Sequence, residues 1–219
     1  MKSLTLSPLM KADYNQNAID IGLKFITEQD AAFLTIDSTS GNGDGMTHLM
    51  MSLAGEVHRT GMEVVSYSAE RLVREATADA SLLNRLTAID CLLLDDINFL
   101  FDKCSVGSVA IFDMLTIRNV AGKKTICTIA IAANDIDSEI PQPYLDLLYS
   151  ATICRLGTPT LADKMRIAMV KITHLGIPFD ESINEIIEQA GNIRELEGKL
   201  TQYAALQNIQ NYALIEQVV

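Results

Sequence analysis

One stretch near the start of the chain decides the fold: residues 31–61 read AAFLTIDSTSGNGDGMTHLMMSLAGEVHRTG. The apolar and β-branched residues of Ala31–Asp37 predict a strand. A glycine-rich segment, Ser40–Thr47, follows it, and the amphipathic spacing of Thr47–His58 predicts a helix that ends before Gly61. A strand, a glycine-rich loop and a helix in this order are typical of a phosphate-binding loop, where backbone N–H groups and a helix N-terminus face an anion.

The loop keeps part of the usual phosphate-binding pattern, GxxxxGK[ST]. Gly45 and the hydroxyl of Thr47 stand in their expected places. The candidate nucleotide-binding residues of the loop are Gly41, Gly43, Gly45, Met46 and Thr47, and Thr47 is also a candidate Mg²⁺ ligand. A glycine-rich turn that binds nothing is the alternative.

Three substitutions in this loop weaken the expected site. Met46 stands where the pattern has a lysine, Ser40 replaces the first glycine, and Asp44 adds a negative charge where phosphates are expected. A charge-assisted contact from such a lysine contributes about 1.5–3 kcal/mol. We therefore expect nucleotide affinity to be at least about tenfold weaker than in an intact site.

A second candidate element is the apolar segment Cys91–Asp95, which is followed by Asp96. A buried strand that ends in acidic residues is typical of the Mg²⁺-holding strand of P-loop proteins. Asp95 is the candidate Mg²⁺ ligand, acting through water, and Asp96 is the candidate catalytic residue that orients an attacking water. A buried strand with an acidic exit turn is the alternative.

Strand and helix patterns alternate along the first two thirds of the chain. Further strands are predicted at Glu63–Tyr67, Thr125–Ala132 and Thr152–Leu156. This alternation predicts an α/β fold with a five-stranded parallel sheet flanked by helices. We predict a tail at residues 1–12 and the α/β core at residues 13–157.

Residues 158–219 show helical patterns and no strand pattern, and they predict a small all-helical subdomain. Its helices are expected at Leu161–Leu175, Glu181–Ala190, Asn192 to about Gln207, and Ala213–Val218. Thr160 and Asn192 are the predicted N-caps of the first and third of these helices, each with an acidic residue three positions on.

The most specific motif is Gly191–Gly198, which reads GNIRELEG. It closely resembles the Asn-x-Arg-Glu-Leu-Glu-Gly run in the ATPase lid of the DnaA family of bacterial replication initiators. Tyr14–Gly22, Thr47–Leu49 and Asp90–Phe99 resemble other segments of the same ATPase module. The resemblance covers about residues 13–219 and implies a P-loop AAA+ core with a helical lid.

That resemblance implies roles for two more residues. Arg194 would be the sensor 2 arginine, which reaches from the lid to the nucleotide phosphates, and Asn134 falls at the sensor 1 position. The alternative for Arg194 is an exposed helix residue paired with Glu195 or Glu197. The family also carries an arginine finger in a segment that here is Gln142–Ser150 and contains no arginine.

Loss of such a finger costs roughly 10³–10⁵ in rate. The resemblance therefore implies that ATP or ADP with Mg²⁺ binds weakly or not at all, and that little or no ATP is hydrolysed. A working ATPase that tolerates Met46 is one rival interpretation. The others are a helicase-loader-like AAA+ adaptor and a remnant that keeps only the fold.

Composition limits the function classes. The net charge is −11, which repels a phosphate backbone, so specific DNA binding is not expected. We expect no room for a DNA-binding domain after the lid. Residues 1–10 do not form a convincing signal peptide, and no apolar run has the roughly 20 residues that span a bilayer, so a cytoplasmic protein is expected. The four widely spaced cysteines are expected to be reduced thiols.

Partners are implied by the same resemblance. A chain that consists of ATPase module and lid is similar to the Hda-type regulatory relatives of DnaA, which work with the sliding clamp. Lys2–Leu9 resembles their clamp-binding segment in its alternating leucines and its proline but lacks the glutamine. A tail that packs on its own domain is the alternative. We expect contacts with a DnaA initiator or another AAA+ replication protein, in replication initiation or its regulation.

Overall fold

The structure, a computed structural model, describes residues 11–41, 43–79, 81–102, 106–130 and 142–216. The strands are β1 Phe33–Ser38, β2 Val64–Ser68, β3 Cys91–Asp95, β4 Lys124–Thr128 and β5 Thr152–Leu156. The helices of the core are α1 Asp13–Thr27, α2 Met46–Arg59, α3 Ala69–Ala78, α4 Ser81–Ala88, α5 Phe99–Asp102, α6 Val106–Val120 and α7 Gln142–Tyr149. The helices that follow are α8 Leu161–Leu175, α9 Glu181–Gln189 and α10 Ile193–Glu216.

The five strands form one parallel sheet in the order β2-β3-β4-β1-β5. This confirms the predicted fold class. Strands β1 and β4 are buried along their whole length, whereas the edge strand β5 alternates between exposed and buried residues. Near-continuous burial is expected where helices cover both faces of a parallel sheet.

Alternate residues of each central strand enter different apolar clusters. Phe33, Leu92 and Leu94 pack with helices α3 to α7 on one face. Leu34 and Leu93 pack with helices α1 and α2 on the other. The period of two along each strand therefore divides the core into two layers.

Helices α8, α9 and α10 pack around a third apolar cluster that includes Ile172, Ile183 and Leu196. The Thr160–Asp163 capping box at the start of α8 forms as the sequence predicts. The prediction of two helices after Asn192 is wrong, because α10 continues to Glu216. After Gly198 the chain contains no glycine or proline, and so nothing in the backbone chemistry interrupts that helix.

The amino ends of the strands are held by two buried cations, Arg118 and Lys124. The guanidinium of Arg118 donates to four carbonyl oxygens, those of Leu86, Thr87, Ile89 and Lys124. The Nζ of Lys124 donates to three others, those of Phe25, Glu28 and Ala31. Burial lowers the pKa of both groups. This end of the sheet lies opposite the edge at which the glycine-rich loop leaves β1.

Cys91, Cys127 and Cys154 are free and buried, and burial raises the pKa of each thiol to about 12. Cys104 lies outside the described residues. Among the residues that the structure describes, no helix combines the length and the hydropathy that a membrane span needs.

Candidate functional site

The glycine-rich loop joins the carboxyl end of β1 to the first turn of α2. Gly43 and Gly45 have φ angles of 103° and 101°, which favour glycine. Gly45 is the N-cap of α2, and no side chain caps this helix. The first N–H groups of α2 therefore remain without a side-chain partner, as a phosphate-binding turn requires.

A cavity of about 540 Å³ lies between this loop and the lid helices. Its core wall comes from the loop, α1 and the carboxyl ends of β3 and β4, and its lid wall comes from α8 and α10. The lining residues are Tyr14, Gly43, Gly45, Met46, Thr47, His48, Asp95, Asp96, Thr128, Ala130, Ile167, Val170, Lys171, His174, Ile193, Arg194 and Glu197. The cavity thus brings together most of the residues singled out in the sequence, from Gly43 in the loop to Arg194 in the lid, but Gly41 does not line it.

The core wall is tied together by hydrogen bonds. Thr47 Oγ1 lies 3.1 Å from each carboxylate oxygen of Asp95, and Thr128 Oγ1 donates to Asp95 Oδ1 at 2.6 Å. The Asp96 N–H donates to Thr128 Oγ1 at 2.8 Å. These bonds place one hydroxyl and one carboxylate side by side. Mg²⁺ bound with substrate phosphates uses one or two carboxylates and keeps several waters, so Thr47 and Asp95 fit such an ion.

Asp96 is the one residue other than glycine with a positive φ, 57°, in the part of the chain that the structure describes. A non-glycine residue in this region costs free energy and is over-represented at functional sites. The turn directs the backbone of Asp96 toward Thr128 and leaves the residue on the cavity lining.

Met46 is the first residue of α2 and is only 7% exposed. It packs in the apolar cluster of α1, α2 and the sheet, and it also lines the cavity. The position where the phosphate-binding pattern has its lysine therefore presents a thioether and no charge to the cavity.

The expectation for Asp44 is wrong: its carboxylate does not lie where phosphates are expected. It is 1% exposed and does not line the cavity. One oxygen, Oδ2, accepts a hydrogen bond from Ser38 Oγ at 2.8 Å, and the other, Oδ1, is buried without a hydrogen-bond partner. Burial raises the pKa of Asp44. The N-terminus of α10, which begins at Ile193, lies near this carboxylate and favours its negative charge.

The same loop contacts the lid at Gly43. The Arg194 N–H donates to the Gly43 carbonyl at 2.9 Å. A Cβ atom at Gly43 would lie 2.6–2.8 Å from side-chain atoms of Asn192. The glycine is therefore required by close approach of the lid as well as by its φ angle. Asn192 Oδ1 accepts from Glu195 N, as expected for the cap of α10.

Arg194 is exposed, as the alternative expects, and it also lines the cavity. The alternative, pairing with Glu195 or Glu197, is not seen: Glu195 pairs with Lys199 at 2.7 Å, and in the described ranges Arg194 forms no ion pair. Asn134 lies outside the described residues. The segment without an arginine finger is largely α7, Gln142–Tyr149.

Tyr14, Lys171 and His174 are among the lining residues that the sequence did not predict as site residues. Lys171 and His174 follow Ile167 at helical spacing on α8, so their common face is visible in the sequence. Nothing in the sequence shows which neighbour that face meets. Tyr14 is half-buried, and burial raises its pKa.

Comparisons with known proteins agree with this architecture. The chain is 30% identical over 193 residues to the chromosomal replication initiator protein DnaA of Sphingopyxis alaskensis, a match that covers 76% of this chain and 40% of that protein. The chain thus spans about two fifths of the length of the curated relatives it matches. No family model matches it.

Solved structures show the same fold at lower identity. Domain III of the Thermotoga maritima replication initiation protein DnaA superposes with a TM-score of 0.81 at 18% identity, covering 96% of this chain and 91% of that one. AMPPCP-bound DnaA from Aquifex aeolicus gives a TM-score of 0.78 at 18% identity, covering 99% of this chain and 70% of that one. Together with the GNIRELEG motif, whose arginine lines the cavity beside the glycine-rich loop, these matches establish that the chain belongs to the DnaA-type AAA+ family.

Proposed function

We propose that this chain is a regulatory AAA+ protein that acts on a DnaA initiator, or on a related AAA+ replication protein, through protein–protein contacts. Its nucleotide site binds ATP or ADP weakly and hydrolyses little. The observation that carries this proposal is the buried Met46 in the first turn of α2, at the place where a phosphate-binding lysine is expected. We assign residues 13–157 to the AAA+ core and residues 158–219 to the lid.

The remainder of the cavity supports nucleotide binding. Free N–H groups of the first turn of α2 would hold the phosphates, and Arg194 would contact them from the lid. Thr47 and Asp95 would hold Mg²⁺ with its waters. A bound Mg²⁺ supplies charge neutralisation to the phosphates. The match to AMPPCP-bound DnaA is consistent with a nucleotide in this position.

Hydrolysis needs more than binding. Asp96 lines the cavity and would orient an attacking water. The charge that develops on the transferring phosphoryl group requires compensation, which a lysine in the loop and an arginine finger supply in related ATPases. Met46 removes the first, and Gln142–Ser150 contains no arginine for the second. Turnover should therefore be lower by a factor on the order of 10³ or more.

The proposed contact with an initiator uses the face that carries the loop and Arg194. AAA+ modules assemble head to tail, so one protomer's finger segment meets the next one's nucleotide face. A protomer that can bind at one face and cannot complete the other ends an open-ended assembly. The clamp-binding alternative falls on Lys2–Leu9, which lies outside the described residues and remains a proposal. With a net charge of −11, we propose no specific DNA binding.

The nucleotide proposal is tested by titrating ATP and ADP in Mg²⁺ and by measuring phosphate release. We expect weak binding and no turnover above that of a Thr47→Ala/Asp95→Asn variant. Met46→Lys should tighten ATP binding about tenfold, because it restores a charge-assisted contact. Submicromolar affinity with steady turnover in the unmodified chain would instead identify a working ATPase.

The partner proposal is tested with purified host initiator and ATP. Light scattering or negative-stain microscopy would follow filament length as the chain is added. We expect shorter filaments at substoichiometric amounts, and we expect Arg194→Glu to abolish the effect. Unchanged filaments at excess chain would refute capping, and shortening that survives Arg194→Glu would move the contact to another face.

A further inference from the structure

We propose that Lys171, on the lid helix α8, supplies the phosphate-binding cation that the glycine-rich loop lacks. The side chain that binds the phosphates would thus lie on the lid wall of the cavity, and not on its core wall. This inference rests on the proposed nucleotide site and names the part of it that recognises the polyphosphate.

The core wall of the cavity lacks the lysine that the phosphate-binding pattern contains. Met46 is buried in an apolar cluster, and Gly43, Gly45 and Thr47 are uncharged. The core wall therefore offers backbone N–H groups and hydroxyls to an anion, but also the carboxylates of Asp95 and Asp96. A polyphosphate in this cavity needs cations from elsewhere.

The lid wall of the cavity carries two cationic side chains that have no partner within the described residues. Most lysine and arginine side chains of the described residues have a hydrogen-bond or ion-pair partner. The exceptions are Lys11, Arg74, Arg166, Lys171 and Arg194. Only two of these five, Lys171 and Arg194, line the cavity. On the lid wall these two cations outnumber the one carboxylate that also lines the cavity, Glu197. In a chain with a net charge of −11, such a local excess of unpaired positive charge favours an anionic ligand.

The face of α8 that lines the cavity changes in character along the helix. Ile167, Lys171 and His174 follow one another along that face, and all three line the cavity. The N-terminal end of α8 lies near α1, because the Gly157 N–H donates to the Tyr14 carbonyl at 2.7 Å just before α8 begins. The face is therefore apolar toward Tyr14 and cationic away from it. A nucleotide has the same polarity, with an apolar base at one end and phosphates at the other.

Lys171 can bind an anion without first breaking an ion pair. It is half-buried, and within the described ranges it makes no ion pair that a ligand would have to break. The loop–lid contact between Gly43 and Arg194 holds the lid against the loop. The lid therefore presents Lys171 to the cavity in advance, and little ordering is needed on binding.

The test uses the full chain and three probes: ATP with Mg²⁺, inorganic tripolyphosphate, and adenosine. Binding would be measured by NMR chemical-shift titration, which reaches millimolar affinities. Lys171→Gln should weaken ATP and tripolyphosphate about tenfold and leave adenosine unchanged. Arg166→Gln, which removes an exposed and unpaired cation from the same helix outside the cavity, is the matched control and should change none of the three.

A rescue experiment sharpens the test. In the Lys171→Gln background, Met46→Lys should restore the lost affinity for ATP and tripolyphosphate, because a loop lysine would replace the lid lysine. Lys171→Met, which keeps the aliphatic stem, should behave like Lys171→Gln. Equal melting temperatures for these variants and the Arg166→Gln control would show that the lid remains folded.

Several results would overturn the inference. They are unchanged ATP and tripolyphosphate affinities in both Lys171 variants, an equal loss of adenosine binding, or no binding of either phosphate probe to the unmodified chain. These outcomes are separable from the partner proposal, which the filament experiment decides without reference to Lys171. Submicromolar ATP affinity with turnover would refute the weak-site proposal and still leave the role of Lys171 open to the same measurements.

Discussion

The two walls of the cavity differ in how their polar groups are satisfied. On the core wall, Thr47, Asp95 and Thr128 bond to one another at 2.6–3.1 Å. On the lid wall, the side chains of Lys171 and Arg194 form no hydrogen bond or ion pair within the described part of the chain. The polar groups of the core wall therefore hold one another in place, whereas the positive charge of the lid wall can be neutralised by an anion or by a partner protein.

The glycine-rich loop connects these walls. Its Gly43 carbonyl accepts from the first turn of α10, and the Asp44 carboxylate lies buried at the same helix N-terminus. The loop therefore lines the cavity and also contacts the lid. The arrangement of the two walls therefore depends on this contact between loop and lid, and a substitution at the contact should disturb it most.

The largest effect is expected from Gly43→Ala. The new Cβ would meet Asn192 at 2.6–2.8 Å, and the φ angle of 103° is strained for alanine. Strain and overpacking together should lower the free energy of unfolding by about 2–4 kcal/mol. Urea denaturation measures this loss.

Gly61→Ala is the matched control for that substitution. It has a similar φ of 86° but open space around the new Cβ, so only the backbone strain of about 1 kcal/mol should appear. Asn192→Ala combined with Gly43→Ala should recover part of the loss by removing the clash. Equal losses at Gly43 and Gly61 would show that the lid does not press on the loop.

A smaller effect is expected from Asp95→Asn on the core wall. The substitution removes the carboxylate next to Thr47, so the Mg²⁺-dependent affinity for ATP should fall about tenfold. In EDTA the affinity should not fall, because one negative charge near the phosphates has been lost. Calorimetric titration with and without Mg²⁺ distinguishes the two conditions, and an equal loss in both would argue against a metal at this wall.

The smallest effect is expected from the pH dependence of Asp44. Burial raises its pKa in the folded protein above the ordinary 3.8, so the folded state holds the proton more tightly than the unfolded chain. The free energy of unfolding should therefore fall as pH rises from about 3.8 through the folded pKa. Asp44→Asn should flatten this part of the profile, and urea denaturation from pH 4 to 7 measures it.

Asp79→Asn provides a control of opposite sign. Hydrogen bonds from Ser81 and Arg85 lower the pKa of Asp79 to about 2, so its contribution to stability is present above pH 3.8 and is lost as pH falls toward 2. If the difference between Asp44→Asn and the unmodified chain were constant across pH, burial of Asp44 would not control its titration.

Much of the fold was predictable from local patterns. Strands β3 and β5 have the predicted bounds, and the other three differ by one to four residues at an end. Short helices were harder to predict. Helix α4, Ser81–Ala88, has only two turns. Its Leu82 and Leu86 are buried because they pack in the same apolar cluster as α6. A segment that short has too few residues for a helical period to stand out.

The site was predictable where one motif supplied the residue, as for Thr47, Asp95 and Arg194. It was not predictable where two distant segments meet. The sequence shows Asp44 inside a glycine-rich loop, but the helix N-terminus near its carboxylate begins at Ile193, far along the chain. Lys171 likewise depends on the packing of α8 over the loop. Such pairings arise from tertiary contacts, which local propensity does not encode.

The buried cations Arg118 and Lys124 have a consequence for behaviour in concentrated salt. Exposed ion pairs such as Lys24–Glu28, whose side chains are 74% and 43% exposed, are screened as ionic strength rises. Contacts between a buried cation and backbone carbonyls are screened much less, because the ion atmosphere does not penetrate the core. At the same time, salt reduces the self-repulsion of a chain with a net charge of −11. We therefore expect molar salt to preserve or raise the stability of this protein, even as its surface pairs lose their strength.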